Sequence, residues 1–337
     1  METYTISNRR YLGNKYKLLP FIRETVEREC GEVNSVFDAF SGTGSVASAF
    51  LDKKLIVNDM MYSNYLAAVA WFSPQQYSME KLERIVTEYN EIKDLGMDNY
   101  MSDNFSNTYF GIEVCRKIGY IREDIENLFV SGVLNEKERA ILITSLIYAM
   151  DRIANTCGHY DSFIQNALYP KDISLALPII DYLPNCGNLC FNEDANILAT
   201  KVKCDLVYLD PPYNSRQYCD AYHLLENVAR WEKPEVEGVA KKMDRSSMKS
   251  QYCKVTAATA LEDLVEKLAC KYILLSYNNN GDKYQIRSNA KISDEQIITI
   301  LQKKGKVKIF NKEFRAFSAG KSEILGNQER LFLCQVE

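Results

Sequence analysis

The sequence predicts an α/β protein built on a mostly parallel sheet, and three observations carry that prediction. Short runs rich in β-branched and aromatic residues recur towards both ends of the 337-residue chain. One of them, Leu206-Val207-Tyr208-Leu209, is apolar at every position, as a strand covered on both faces must be. Another, Val36-Phe37-Asp38-Ala39-Phe40, runs into the glycine-rich stretch Ser41-Gly42-Thr43-Gly44 and then a helix start, the strand–turn–helix order of open α/β sheets.

Seven strands follow from these runs: Ser35 to Phe40, Lys54 to Asp59, Leu189 to Asp194, Cys204 to Asp210, Tyr272 to Tyr277, Val307 to Phe314 and Arg330 to Val336. The last two lie close together, joined by a stretch containing Gly and Ser, and so predict an antiparallel hairpin closing the sheet. The polar turn from Ser276 to Gly281 is expected at the same sheet edge as the end of the fourth strand.

Between Asp59 and Leu189 lie far more residues than one crossover helix needs, and several segments there are helical by period. In Glu136 to Ala154 the residues Ile141, Leu142, Ser145, Leu146, Ala149, Met150 and Ile153 share one face. Asn135 stands as the N-cap and Gly158 just past the end. Such a stripe predicts core packing. Trp231 to Thr256, rich in lysine and serine and without strong periodicity, predicts a mobile segment.

Composition narrows the class. With 46% hydrophobic and 26% charged residues the chain reads as an ordinary soluble protein. No apolar run is long enough to span a bilayer, and Met1-Glu2-Thr3-Tyr4 lacks the features of a signal peptide, so a cytoplasmic location without membrane partners is expected. The ten cysteines are scattered, and Cys204, Cys270 and Cys334 read as small hydrophobes within strands. Neither His159 nor His223 stands at ligand spacing from a cysteine pair, so no metal site is expected. A net charge of −4 excludes a uniformly basic surface but leaves local clusters. Arg9, Arg10, Lys15 and Lys17 form one, and the span Lys233 to Lys254, with six basic and three acidic residues, forms another.

Asp210-Pro211-Pro212-Tyr213 carries the most chemistry. It stands at the carboxyl end of the fourth strand, the edge where open α/β sheets bind ligands. Two prolines hold the backbone extended and leave carbonyls without competing N–H groups. The set comprises one anionic acceptor, rigid carbonyl acceptors and one aromatic face, which suits an amino group on a flat ring. Gly42-Thr43-Gly44-Ser45-Val46-Ala47 also fits a GxGxxA dinucleotide fingerprint, with Asp59 as a ribose acid. On that motif alone a nicotinamide-dependent oxidoreductase remains open.

Together, the Phe40-Ser41-Gly42-Thr43-Gly44 turn, a long insert and the later Asp210-Pro211-Pro212-Tyr213 resemble the Dam-like (alpha-group) DNA adenine-N6 methyltransferases, which use S-adenosylmethionine. The segment Arg10-Tyr11-Leu12-Gly13-Asn14-Lys15 is similar to the one preceding the cofactor turn in that group. The resemblance implies a Rossmann-like seven-stranded class I methyltransferase sheet with a largely helical DNA-recognition insert. On this reading residues 1–72 and 189–337 form the catalytic domain and 73–188 the target-recognition insert.

By the same resemblance Tyr11, Lys15, Asp38, Phe40, Gly42, Gly44, Asp59 and Asp194 hold the cofactor, while Asp210, Pro211, Pro212 and Tyr213 hold and activate the target base. Arg10, Asn14, His159, Tyr160, Arg216, Tyr218 and Lys249 are the expected nucleic-acid contacts, and Trp231 to Thr256 is expected to order on DNA. The continuation Asn214-Ser215-Arg216-Gln217-Tyr218 resembles the branch found with restriction endonucleases. The expected function is therefore site-specific methylation of adenine N6 in double-stranded DNA by a monomer, with a cognate endonuclease acting separately. A catalytically inactive nucleic-acid-binding subunit is the alternative, against which the intact Gly42, Gly44 and Asp210 speak.

Overall fold

The computed structural model describes every residue except 1, 10, 94, 166, 182–186, 214, 279–290 and 314–327. The chain divides into two compact units. The first comprises Met1–Asn14, Met61–Leu183 and Tyr218–Ser247, and the second Lys15–Met60, Pro184–Gln217 and Met248–Glu337.

The first unit holds a two-stranded parallel pair of Thr3–Tyr4 and Leu177–Pro178, and the second contains the seven-stranded sheet. Its strands are β1 (Ser35–Asp38), β2 (Lys54–Asn58), β3 (Leu189–Phe191), β4 (Leu206–Leu209), β5 (Tyr272–Asn278), β6 (Gly305–Glu313) and β7 (Gln328–Val336). They stand in the order β3-β2-β1-β4-β5-β7-β6. The first five are parallel, and β7 runs antiparallel to both β5 and β6. All seven expected strands are present, with the closing hairpin. The stretch joining the hairpin and residues 279–281 of the expected polar turn lie outside the described residues.

β4 is central because Leu206, Val207, Tyr208 and Leu209 are all buried and therefore need cover on both faces. Helices Leu19–Glu29, Ala257–Lys267 and Asp294–Gln302 belong to this unit. Leu261, Leu264, Ile297 and Leu301 pack into the same core as Phe37, Ile56, Val207 and Phe332. Each such side chain contributes roughly 1.5–3 kcal/mol by leaving water. Cys204 and Cys334 are buried, and burial pushes their thiols up to about 12 and about 11, consistent with packing residues.

At the amino end of β4, Asp205 acts as a latch. Its Oδ2 accepts from the amides of Asn34 and Ser35 and from the Ser35 hydroxyl at 2.9, 3.0 and 3.0 Å. Lys271, just before β5, lies 2.8 Å from its other oxygen. One carboxylate thereby aligns the starts of three strands, and the register Val36↔Leu206↔Tyr272 follows.

The first unit is mainly helical. Helix Glu136–Ile153 starts where the sequence predicts, with the Asn135 side chain accepting from the Glu138 amide and Glu138 returning the bond. It is not amphipathic in place: every residue from Lys137 to Met150 is buried. Burial extends to Lys137, Glu138 and Arg139 because each finds a partner, Lys137 at the Ser73 carbonyl, Glu138 at Lys81 and Arg139 at Glu126. Elsewhere the fully buried Arg122 donates to the carbonyls of Val228 and Ala229, which satisfies the last turn of helix His223–Arg230. Glu226, equally buried, accepts from the amides of Tyr62 and Ser63 at the start of helix Tyr62–Phe72.

The segment Trp231 to Thr256 differs from the expectation of mobility. Lys242 pairs with Asp161 and Arg245 with Asp220 in the first unit, while Tyr252 bonds Asn196 in the second. Its anchors are distant in sequence, which is why local composition suggested none. Among the described residues no helix is long and apolar enough to cross a membrane.

Candidate active site

β1, β2 and β4 are parallel, so their following loops leave from one edge of the sheet, and the register places Asp38 beside Tyr208 and Val57. The loop after β1 is a tight turn. Ser41 donates its amide to the Asn58 carbonyl at 2.9 Å, and Gly44 donates to the Ser41 carbonyl at 2.7 Å. Gly42 and Gly44 have φ of 53° and 83°, left-handed values that favour glycine. The Gly42 amide donates to Asp59 Oδ2 at 2.8 Å, so the acid after β2 fixes the turn after β1. Asn58 ties the edge further by donating to the carbonyls of Ala39 and Glu193.

Within this frame Asp38 is buried at 1% exposure, and the backbone amides of Ala47 and Phe40 face its carboxyl without closing a well-aligned hydrogen bond to either oxygen. Burial pushes its carboxyl up to about 8, the charges of Asp210 and Asp59 add to the effect, and the amides of Ala47 and Phe40 only partly oppose it. The Ser41 hydroxyl is buried without a partner among the described residues. Unsatisfied acceptors around a glycine turn mark a place prepared for a donor-bearing ligand. Phe40 packs edge-on against Tyr252, with ring centroids 5.1 Å apart.

The loop after β4 carries Asp210. Lys15 Nζ lies 3.0 Å from Asp210 Oδ1 and 3.5 Å from Glu329 Oε1. Burial alone would lower the lysine, but the two carboxylates outweigh it and hold it well above its usual value. Asp210 moves up to about 6, through burial first and the Glu329 charge, against the pull of Lys15. Tyr213 packs edge-on to Tyr277 at 6.1 Å and lies 5.8 Å from the Lys15 ammonium. Its amide-plane neighbour is fixed too, because the Tyr213 carbonyl accepts from the Lys291 amide.

The structure thus brings together Lys15, Asp38, Gly42, Gly44, Asp59 and Asp210 through one sheet edge, with Phe40 and Tyr213 on the same loops. Asp194 is exposed and caps the short helix Ala195–Leu198. Arg216 and Lys249 are exposed in the same unit. Arg10 lies outside the described residues.

Tyr11, Asn14, His159, Tyr160 and Tyr218 fall in the helical unit. Tyr11, Tyr218 and Tyr222 cluster with nearly parallel rings, Tyr11 lying 5.3 and 4.7 Å from the other two and these 6.3 Å from each other. The Tyr218 hydroxyl donates to the Leu12 carbonyl, and the Leu12 amide donates to the Tyr222 hydroxyl. Tyr160 is buried, its hydroxyl donating to Asp151 at 2.8 Å. Tyr160 thus packs inside its unit rather than on an open face, whereas His159 stays partly exposed.

Sequence reasoning missed Glu329, whereas Ser276 and Asn278 belong to the polar stretch expected at this edge and stand in β5 rather than in a turn. The one available signal was an acid opening the otherwise apolar run Leu331-Phe332-Leu333 on β7.

The family model for D12 class N6 adenine-specific DNA methyltransferases matches residues 11–287. The chain is 36% identical to the modification methylase StsI of Streptococcus sanguinis, over 87% of its own length and 46% of that protein. It is 31% identical to the type II methyltransferase M.FokI of Planomicrobium okeanokoites, over 97% and 52% respectively. To the type II methyltransferase M.NlaIII of Neisseria lactamica it is 30% identical over 93% of each chain. It therefore spans about half the length of the first two relatives and nearly all of the third.

Proposed function

Because this chain belongs to the D12 class N6 adenine-specific DNA methyltransferases, we propose that it transfers the methyl group of S-adenosylmethionine to N6 of adenine within a short specific site in double-stranded DNA. The observation that supports this most strongly is the adjacency of β1 and β4, which sets a glycine turn with an unsatisfied Asp38 next to a loop presenting Asp210. The family membership also removes the dinucleotide reading of the glycine turn.

Asp38, Ser41, Gly42, Gly44 and Asp59 suit the cofactor: the buried Asp38 carboxyl and Ser41 hydroxyl keep polar capacity that a ligand can use, and the two glycines let the backbone approach closely. When bound, the cofactor supplies an electrophilic methyl group on a sulfonium. The chain's own task is to ready the amine. Adenine's exocyclic nitrogen is weakly nucleophilic because its lone pair is delocalised into the ring. Asp210 and the Pro211 carbonyl accept its two hydrogens, which draws the nitrogen towards tetrahedral geometry and aims the lone pair. The proton leaves after methyl transfer, so Asp210 need not be a strong base.

Reaching N6 requires the base to leave the duplex, at about a few kcal/mol. Stacking on Tyr213 offsets roughly 1–3 kcal/mol of that. In this reading residues 73–188 contribute to target recognition, and Arg216, Lys249 and His159 are candidate DNA contacts. The protein acts as the modification enzyme of a cytoplasmic restriction–modification system, as a monomer, with any endonuclease separate.

The test is incubation with DNA and methyl-labelled cofactor, followed by sequencing that detects N6-methyladenine. Label in adenine at one short motif, lost on Asp210→Ala, is the expected result. DNA binding without label in the wild-type protein would instead establish the inactive-subunit reading.

A further inference from the structure

Glu329 has no role in the reading above, yet it is 3% exposed and fully engaged. It is the second residue of β7, where it pairs directly with Asn278 across the antiparallel ladder of β5. Ser276 Oγ donates to Oε1 at 2.7 Å and Asn278 Nδ2 to Oε2 at 3.1 Å. The remaining neighbour of Oε1 is the Lys15 ammonium at 3.5 Å, which at the same time lies 3.0 Å from Asp210. A buried ammonium between two carboxylates is shared, and sharing weakens its hold on each.

Asp210 is the acceptor the target amine needs, and Lys15 already donates to one of its oxygens. With Asp210 as sole counter-ion, Lys15 would be bound there strongly, because separating one buried charge pair leaves both members uncompensated. Glu329 changes that balance. We infer that Glu329, oriented by Ser276 and Asn278, is a positioning residue that shares the Lys15 ammonium with Asp210, confining it to Asp210 Oδ1 and weakening its hold there so that Asp210 can accept the incoming amine. The inference rests on the methyltransferase reading and deepens it.

The charged and titratable groups facing Asp210 are Lys15, Glu329, Tyr208, Tyr213 and, from β1, Asp38. The Glu329 charge helps raise Asp210, so its removal lowers Asp210 and moves the acid limb of the rate profile to lower pH.

The experiment compares Glu329→Gln with wild type in single-turnover methylation of DNA across pH, alongside thermal unfolding and S-adenosylhomocysteine titration. Expected is a loss of kcat of tenfold or more, an acid limb shifted to lower pH, and inhibitor affinity unchanged within threefold. Loss of kcat with the acid limb unmoved would reduce Glu329 to a structural residue and overturn the inference, as would an unaltered kcat.

Glu329→Asp keeps the charge with a shorter reach, and it keeps the test open should the glutamine variant not fold. It is expected to retain the wild-type acid limb with kcat lowered severalfold, and unaltered kcat again overturns the inference. Failure of the methyltransferase reading itself is distinct: it shows as no labelled adenine from wild-type protein.

Discussion

Two aspartates flank the same strand, Asp205 before β4 and Asp210 after it, and each has a lysine ammonium at close range, 2.8 Å from Lys271 and 3.0 Å from Lys15. Their acidities diverge. Asp205 falls to about 2, because Lys271, the Asn34 amide and the Ser35 hydroxyl outweigh the burial that would raise it. Asp210 rises to about 6, because burial and the nearby Glu329 outweigh its lysine. An ion pair therefore does not by itself fix a carboxyl's state. The donors around it decide: the amino-end aspartate is saturated by its own chain, and the carboxyl-end aspartate keeps capacity for something else.

Activity should separate the pair most strongly. Asp210→Asn is expected to lower methyl transfer by about 10²–10³-fold, the scale of removing one well-placed polar partner of a reacting group, while Asp205→Asn leaves the rate of folded protein nearly unchanged. Label incorporation under single turnover reads both, and equal losses would erase the distinction.

Stability should separate them in the other direction. A carboxyl depressed in the folded state adds stability above its unfolded pKa, so Asp205→Asn is expected to cost about 1–2 kcal/mol at neutral pH after allowing for solvent screening. A raised carboxyl adds stability only while protonated, fully below its unfolded pKa and lost as pH rises through the folded value. Asp210→Asn should accordingly not lower Tm at pH 7.5. A fall matching that of Asp205→Asn in denaturant titration would contradict this.

The pH profile sharpens the same contrast. As pH falls through about 6, Asp210 takes up a proton and the rate should decline up to tenfold per unit. The contribution of Asp205 is lost only as pH falls from its unfolded pKa towards about 2. Just above pH 5 the protein should be folded and slow, which circular dichroism and label incorporation together can check.

The two lysines should differ as well, and the smallest effect belongs to the exposed one. Lys271→Met removes an exposed partner and should barely change Tm. Lys15→Met removes the cation that pulls Asp210 down, so the acid limb should move to higher pH.

Much of this arrangement was legible before any coordinates. The β4 run, the Gly42 and Gly44 turn and the Asn135 cap are local signals, since strand burial, positive φ and capping each leave a signature within a few residues. The burial of Lys137 to Met150 on every face of their helix was not legible, because its polar side chains are covered by partners such as Ser73, Lys81 and Glu126. Tyr160, expected to face DNA, was not legible for the same reason: it stands in a turn, but Asp151 claims its hydroxyl and the side chain is buried.

The sequence by itself determined the strands, the glycine turn after β1 and the presence of Asp210 at a strand's carboxyl end, because these depend on side-chain period and backbone preference over short spans. Only the tertiary structure decided that Lys15, from near one end of the chain, would stand between Asp210 and Glu329, from near the other. Sheet order sets which loops share an edge, and the low dielectric of that buried edge turns their charges into a shared equilibrium that neighbours in sequence do not reveal.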